Sequence, residues 1–234
     1  MKRLKTAAVI GASGRVGSAL VRELPHAGVR IVPAAQADVV LLAVPDRAVA
    51  EVAASLRPRR DQLIAHLAGA LSLEALAPAR RRGSMHPLRA FTKGDDFRGA
   101  AAGIAGSDAI ARAQLSQLAR RLGMRPLSAP ERSRALYHAA AVLAAGAQVA
   151  LFAEAVRAFR LATGATAAKA RAALLPLAIG ALTKGSVTGP AVRGDRDTIS
   201  AHRKALPRDL LPLYDLLTEA MSKHAGRERS RHRP

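Results

Sequence analysis

The stretch TAAVIGASGRVGSAL, Thr6–Leu20, decides how the first part of this chain folds. It opens with Ala7–Ile10, a short apolar run that is typical of a buried parallel strand. Three glycines then follow at three-residue intervals, and an apolar pattern with helical spacing begins at Val16. A strand, a glycine turn and a helix in this order predict a dinucleotide-binding unit.

Each glycine of the turn has a predicted role. Gly11 allows a tight turn at the strand end, Gly14 removes a Cβ that would block a pyrophosphate, and Gly17 lets the helix pack closely. The first N–H groups of the helix then face the anion. The alternative is a turn whose glycines serve packing alone. The predicted cofactor contacts come from this turn and from the end of a later strand: Gly11, Ala12, Ser13, Gly14, Arg15, Val16, Gly17, Val44 and Pro45.

The composition of the 234-residue chain excludes several kinds of site. It contains no cysteine, so disulfides and thiolate metal sites are excluded. Its seven histidines lack metal-binding spacing, and we therefore predict no metal. The first apolar run is too short for a signal sequence or a membrane span, which favours a cytoplasmic protein with no membrane partner. The net charge of +20 comes from scattered basic residues without interleaved aromatics, so we expect no nucleic-acid partner.

The chain falls into three predicted parts. Short apolar strands alternate with helical patterns over residues 1–129, which predicts an α/β Rossmann-type domain with a mostly parallel sheet. Residues 130–224 read as helix throughout and predict an all-α domain, and the basic tail 225–234 is expected to be disordered. The amphipathic run Arg132–Leu161 has more apolar surface than one small helical domain can bury. We therefore expect a homodimer through these helices.

The first half of the Rossmann domain is predicted to be trimmed. Only Pro33–Gln36 separates the strand patterns Gly28–Val32 and Ala37–Val44, where a dinucleotide fold usually inserts a further helix and strand. The acidic residue that binds the ribose hydroxyls is missing as well. Arg15 remains as a candidate for a 2′-phosphate, so the predicted cofactor is NADP or NAD, with NADP slightly preferred.

Four strings carry a resemblance to a known family: HLAGALS at His66–Ser72, GSMHPLRAF at Gly83–Phe91, RALYHAAAVLAAG at Arg134–Gly146, and VTGPAVRGD with a following histidine at Val187–His202. In this order they resemble a group of NAD(P) oxidoreductases that is defined by a C-terminal helical domain of unknown function. The group belongs to the 6-phosphogluconate-dehydrogenase-like superfamily, with prephenate dehydrogenases, pyrroline-carboxylate reductases and ketopantoate reductases. The resemblance implies a Rossmann domain followed by a helical domain, and hydride transfer as the activity.

The chain also departs from that family. Ala68 stands where the family has serine, Arg134 where it has lysine, and Gly146 where it has asparagine. In related dehydrogenases the helical domain supplies a lysine and an asparagine to the group being reduced or oxidised. The departures therefore imply either a changed substrate or lost catalysis.

Hydride transfer also needs a proton donor or acceptor and a group that holds an anionic substrate. His86 is the first candidate for proton transfer, because histidine titrates near neutrality and this one ends a strand. The string around it is similar to that of prephenate dehydrogenases, where the histidine contacts the reacting hydroxyl. His138 is the second catalytic candidate, and Tyr137 beside it is a candidate for substrate binding. Either histidine could instead be structural.

The remaining substrate-binding candidates lie near the C-terminus. Arg193 could clamp an anion and Asp195 could orient it, or the two could belong to a capped loop. His66 and His202 rank lower. Taken together, these patterns predict a hydride transfer to or from a small acidic carbonyl, hydroxy or imino compound. The alternative is a degenerate dinucleotide fold that binds a nucleotide or a partner without turnover.

Overall fold

The fold comes from a computed structural model that describes residues 3–231, with side chains for residues 3–225. The chain divides into two compact units, and the first ends at Ala145 while the second begins at Gly146. The sequence predicted a change of character at residue 130. The first unit extends further because helix α4 (Arg134–Ala144) contacts the end of β4 and strand β5 through Arg134 and Tyr137.

The first unit is built on a seven-stranded sheet with the order β2-β1-β3-β4-β5-β6-β7. Its strands are β1 Thr6–Ile10, β2 Arg30–Ile31, β3 Val39–Leu42, β4 Leu63–His66, β5 Arg81–Leu88, β6 Ala101–Gly106 and β7 Arg125–Ser128. All neighbours pair in parallel except β5 and β6. The predicted Rossmann-type sheet is confirmed. So is its trimmed first half, because β2 has two residues and a single 3₁₀ turn, Ala34–Gln36, joins it to β3.

Helices and turns cover both faces of this sheet, and alternate residues of each central strand point to opposite faces. Val39 and Leu41 belong to a core shared with α1 (Arg15–His26) and α3 (Ala109–Arg121). Val40 and Leu42 belong to a second core shared with α2 (Val49–Ser55). Burial on both faces explains why β3 reads as an unbroken apolar run.

The second unit is helical. Its helices are α5 Gly146–Thr163, α6 Ala167–Lys184, α7 Pro190–Arg193, α8 Arg196–Ala205 and α9 Leu211–Arg231. Side chains cap the N-termini of α6 and α8. Thr166 accepts a hydrogen bond from the N–H of Lys169, and Asp195 accepts one from the N–H of Thr198.

Two sequence-based expectations are wrong. The run Arg132–Leu161 is not one helix, because the backbone at Ala145 leaves the helical region (φ −121°, ψ −79°) between α4 and α5. The tail predicted to be disordered from residue 225 is helical as far as Arg231, since α9 continues through it. The last three residues of that tail, 232–234, lie outside the described residues.

Candidate functional site

The glycine turn has the shape that its sequence predicts. Gly11 adopts φ +88°, and a Cβ there would overlap the carbonyl oxygen of Ala43. A Cβ on Gly17 would overlap the carbonyl oxygen of Gly11, so the helix approaches the turn as closely as the backbone allows. Gly14 is the N-cap of α1 and provides no capping side chain. The first N–H groups of α1 therefore point toward an exposed turn where an anion could accept hydrogen bonds.

This turn lies at the point where the sheet changes direction. Strands β1 and β3 are neighbours, but the chain leaves β1 toward β2 on one side and leaves β3 toward β4 on the other. The crevice outside the carboxyl ends of two such strands is where α/β sheets bind ligands. Val44 follows β3, and its Cγ1 would lie 3.1 Å from a Cβ on Gly11. The structure therefore brings the predicted cofactor residues of the turn beside Val44.

Two histidines lie at the same edge of the sheet. His66 is the last residue of β4 and pairs in register with Ser84 of β5, and His86 follows two residues further along β5. Because β1, β3, β4 and β5 run in parallel, their carboxyl ends share one edge. The glycine turn and both histidines therefore belong to one side of the first unit.

Helix α4 brings Tyr137 and His138 onto His86. The Tyr137 hydroxyl lies 2.9 Å from Nδ1 of His86, and the rings of His86 and His138 meet edge to face with centroids 5.9 Å apart. Two glycines provide the space. A Cβ on Gly69 would overlap the His138 ring, and one on Gly103 would overlap the Tyr137 hydroxyl. His86, Tyr137 and His138 therefore meet at one place, and buried His66 is close enough to act on His86 electrostatically. We call these four residues the histidine cluster.

The buried side chain of Arg134 forms hydrogen bonds to the segments that carry the histidine cluster. Arg134 is 4% exposed, and its Nη1 donates to Oε1 of Glu131 at 3.0 Å. Its Nη2 donates to the carbonyl oxygen of Ala68 at 3.1 Å and also to the Ser84 hydroxyl. The other oxygen of Glu131 accepts from the N–H of Leu73 at 2.9 Å.

Burial keeps the imidazoles of His66 and His86 neutral near pH 7. It lowers the pKa of His66 to about 4, helped by the charge of Arg134 and opposed by nearby backbone at Ser72. Burial also lowers the pKa of His86 to about 4, helped by His138 and Arg134. The pKa of the Tyr137 hydroxyl is raised, again mainly by burial. At neutral pH, His66 and His86 are therefore neutral rings beside the permanent cation of Arg134.

In the histidine cluster and in Arg134, several buried polar atoms make no hydrogen bond of normal geometry to the described protein atoms: Nδ1 and Nε2 of His66, Nδ1 of His138 and Nε of Arg134. Most buried polar atoms in folded proteins are hydrogen bonded, and an exception calls for an explanation such as a catalytic role or an ordered water. Their grouping around His86 marks this edge of the sheet as the candidate site. Within the described residues, no three His, Asp or Glu side chains converge as metal ligands.

The remaining predicted residues lie in the second unit. Arg193 is exposed and ends α7, and Asp195 is the N-cap of α8. Both carboxylate oxygens of Asp195 accept from Thr198, at 3.0 Å from its N–H and 2.7 Å from its hydroxyl. These bonds lower the pKa of Asp195, and the charge of Arg193 adds to the effect. His202 is hydrogen bonded to the Tyr214 hydroxyl at 2.8 Å.

A cavity of about 400 Å³ opens at the opposite, amino ends of the strands. Three of its charged side chains make structural contacts. Arg59 donates to the Ala37 carbonyl, Arg81 donates to Asp108, and Asp38 accepts from the N–H groups that begin β1. We therefore assign the candidate site to the carboxyl edge.

Sequence reasoning missed part of the support around His86. Glu131 and Arg134 form an (i, i+3) ion pair that the sequence spacing alone could have suggested. Gly69 stands inside the quoted string HLAGALS, but nothing local indicates that two imidazole rings need its missing Cβ. Ser84 and Gly103 carry no local signal, since each matters only through strand register.

Two family models match the chain. One, described as a domain of unknown function (DUF2520), matches residues 100–221, and a Rossmann-like domain matches residues 22–90. These matches confirm the resemblance to a Rossmann domain followed by a helical domain of unknown function. No curated protein matches the sequence significantly.

Solved structures share the fold. A Bacteroides fragilis protein, provisionally named an NADP oxidoreductase, is similar with a TM-score of 0.74 at 22% identity, covering 94% of this chain and 98% of the other. A Thermotoga maritima protein has a TM-score of 0.75 at 22% identity, covering 96% and 99%. A reductive aminase from Aspergillus terreus, in complex with NADPH and ethyl levulinate, has a TM-score of 0.62 at 16% identity, covering 96% of each chain.

Proposed function

We propose that this chain, which belongs to the DUF2520 family, is an NAD(P)-dependent oxidoreductase acting on a small acidic carbonyl, hydroxy or imino compound. One observation carries the proposal. A glycine turn with uncapped helix N–H groups and a histidine cluster with unsatisfied polar atoms occupy the same edge of one mostly parallel sheet. The names of structural relatives as oxidoreductases support it through the shared fold.

The pyrophosphate of the cofactor would lie on the N–H groups at the start of α1, over Gly14. Gly11 and Gly17 fit this assignment, because each packs where no side chain could. A bound nicotinamide would supply or accept the hydride. No acidic residue follows β2, and the exposed Arg15 would contact a 2′-phosphate, which favours NADP over NAD.

His86 would be the group that transfers the proton to the substrate. A neutral imidazole can donate a hydrogen bond to the oxygen or nitrogen of the group being reduced, as a polarising donor. We propose that the Tyr137 hydroxyl donates to Nδ1 of His86, which leaves the ring proton on Nε2 for the substrate. As negative charge develops on the substrate, Nε2 gives up its proton while Nδ1 accepts one from Tyr137, and the Tyr137 oxygen then regains a proton from solvent. Burial raises the pKa of Tyr137, and the charge of Arg134 only partly opposes that shift, so Arg134 limits the cost of the tyrosinate that the relay forms.

The proposal is tested by titrating the protein with NADPH and then NADH, following nucleotide fluorescence. We expect NADPH to bind at micromolar concentration and about tenfold more tightly than NADH, which is the effect of one charge-assisted contact to a phosphate. Arg15→Ala should remove this preference, whereas the exposed Arg47→Ala should keep it.

No binding of either nucleotide at millimolar concentration would contradict the oxidoreductase proposal. The degenerate alternative, a protein that binds a partner without turnover, would then be favoured. The missing acid after β2 and the residues Ala68, Arg134 and Gly146 already point in that direction.

We further propose that the chain works in the cytoplasm as a homodimer. Within the second unit, Val149, Leu177 and Leu182 are each more than half exposed, at 69%, 71% and 66%. Within the first unit, Leu136 of α4 is 74% exposed. Exposed apolar side chains on α4, α5 and α6 support an interface on these helices. By length and composition alone, the segment Glu131–Thr163 could also cross a membrane, and none of its apolar window is buried.

Light scattering at micromolar concentration should therefore give twice the chain mass of 24.4 kDa without detergent. Leu177→Glu should shift the mass toward the monomer, because a charge would be buried without a partner. Leu127→Glu, on the exposed edge strand β7, is the matched control and should leave the mass unchanged. A monomer, or a protein that stays in solution only with detergent, would contradict the dimer.

A further inference from the structure

We propose that Arg134 is a positioning residue that fixes the first turn of α4 on the sheet and thereby holds Tyr137 and His138 against His86. The consequence for catalysis rests on the proposed function, whereas the contacts of Arg134 do not. Neither proton transfer nor substrate binding is assigned to Arg134 itself.

The guanidinium group joins separate segments of the first unit. It donates to the Ala68 carbonyl after β4, to the Ser84 hydroxyl inside β5, and to Glu131 in the turn before α4. Glu131 extends the network to the N–H of Leu73. Because Arg134 and Ser84 are both buried, at 4% and 0% exposure, water does not compete strongly for these bonds.

Helical spacing places Arg134 on the same face of α4 as two residues of the histidine cluster. Residues three and four positions apart lie on one face of a helix, so Tyr137 and His138 share the face of Arg134. Tyr137 reaches Nδ1 of His86 from there, and His138 packs over Gly69. Gly69 follows Ala68, whose carbonyl oxygen Arg134 holds. The same side chain therefore positions both the helix and the loop that face the imidazoles.

Arginine suits this role for two reasons. Its planar group has five N–H donors and can meet three partners at once, whereas the single nitrogen of lysine is a compact point charge. A guanidinium group also stays protonated, and although burial lowers its pKa here, Glu131 opposes that shift. Arg134 therefore supplies a permanent charge and takes no part in proton exchange.

A double-mutant cycle on stability tests the proposal. We expect Tyr137→Phe alone to reduce the ratio of folded to unfolded protein about fivefold in urea unfolding, as loss of one hydrogen bond does. In the Arg134→Met background, Tyr137→Phe should reduce the ratio of folded to unfolded protein less than about twofold, because Tyr137 is no longer held on His86. Arg132→Met, an exposed arginine of the same turn, is the matched control and should preserve the fivefold cost.

A second readout follows the ring signals of His86 by NMR against pH. The charged or titratable groups that face His86 are Arg134, Tyr137 and His138 from α4, and His66 from β4. Loss of the Arg134 cation should move the His86 midpoint upward from about 4 toward the ordinary value. Arg134→Lys should keep the His86 midpoint low, because lysine retains the positive charge. It should lose the stability coupling to Tyr137, because lysine lacks the planar set of N–H donors of the guanidinium group.

The proposal would be overturned if Tyr137→Phe lowered stability equally in the wild-type and Arg134→Met proteins. It would also be overturned if the titration midpoint of His86 did not move in Arg134→Met. If Arg134→Met does not fold, Glu131→Gln replaces it in the cycle, with the same expected loss of coupling. Both readouts use protein without cofactor or substrate. Failure to bind NADPH would therefore remove the proposed function and leave the positioning role to be decided by these two measurements.

Discussion

Replacing His86 with alanine should lower kcat at least about a hundredfold, because general acid–base groups contribute factors of this size. The loss is expected in the turnover of small keto or imino acids with NADPH, measured by nucleotide absorbance. The Kd for NADPH should change less than about twofold, since His86 lies on β5 and the glycine turn follows β1. Tyr137→Phe should also lower kcat, by a smaller factor, since it removes the relay to Nδ1 and leaves the ring in place.

The matched control is His26→Ala, at an exposed histidine that ends α1. It should leave both kcat and Kd unchanged. Full turnover in His86→Ala would remove the proton-transfer role from His86. Loss of NADPH binding together with turnover would instead indicate that His86 holds the structure of the site.

Replacing Gly14 with valine should weaken NADPH binding about a hundredfold or more. The new side chain would cover the N–H groups at the start of α1, and losing one or two hydrogen bonds to a charged phosphate has an effect of this size. The fold itself should tolerate the change, because Gly14 is exposed and the nearest protein atom to its Cβ is the Gly11 carbonyl oxygen at 3.3 Å. Fluorescence titration measures the loss, and a thermal melt shows that the protein is folded.

Gly180→Val provides the control for this experiment. Gly180 lies inside α6 with no atom within 4 Å of its Cβ position, so valine there should change neither binding nor folding. Unchanged NADPH binding in a folded Gly14→Val protein would mean that the glycine turn is not the cofactor site.

The architecture of the first unit could be predicted because its signals are local. The strand, the glycine turn and the helix of Thr6–Leu20 are specified by neighbouring residues, and so is the short link Pro33–Gln36 that trims the first half. The helix break at Ala145 had one local signal, the neighbouring Gly146, but a single glycine inside a helical pattern is often tolerated. Alanine favours helix, so an Ala-rich run gives little local indication of where it ends.

The candidate site was predicted as separate residues. The sequence singled out His86, Tyr137 and His138 by residue type and by family resemblance, and the structure brings all three together. Arg193 and Asp195 stay a prediction for the substrate, although Asp195 already serves as the cap of α8.

The sequence by itself determined the fold class, the absence of cysteine chemistry, and the glycine turn between β1 and α1. Each of these depends on residue identity or on residues a few positions apart. Only the tertiary structure decided that Arg134 holds Ser84 and that Tyr137 holds His86, pairs separated by 50 and 51 residues. Such contacts depend on strand register and on how α4 packs against the sheet, and a shift of one residue in β5 would turn His86 to the opposite face.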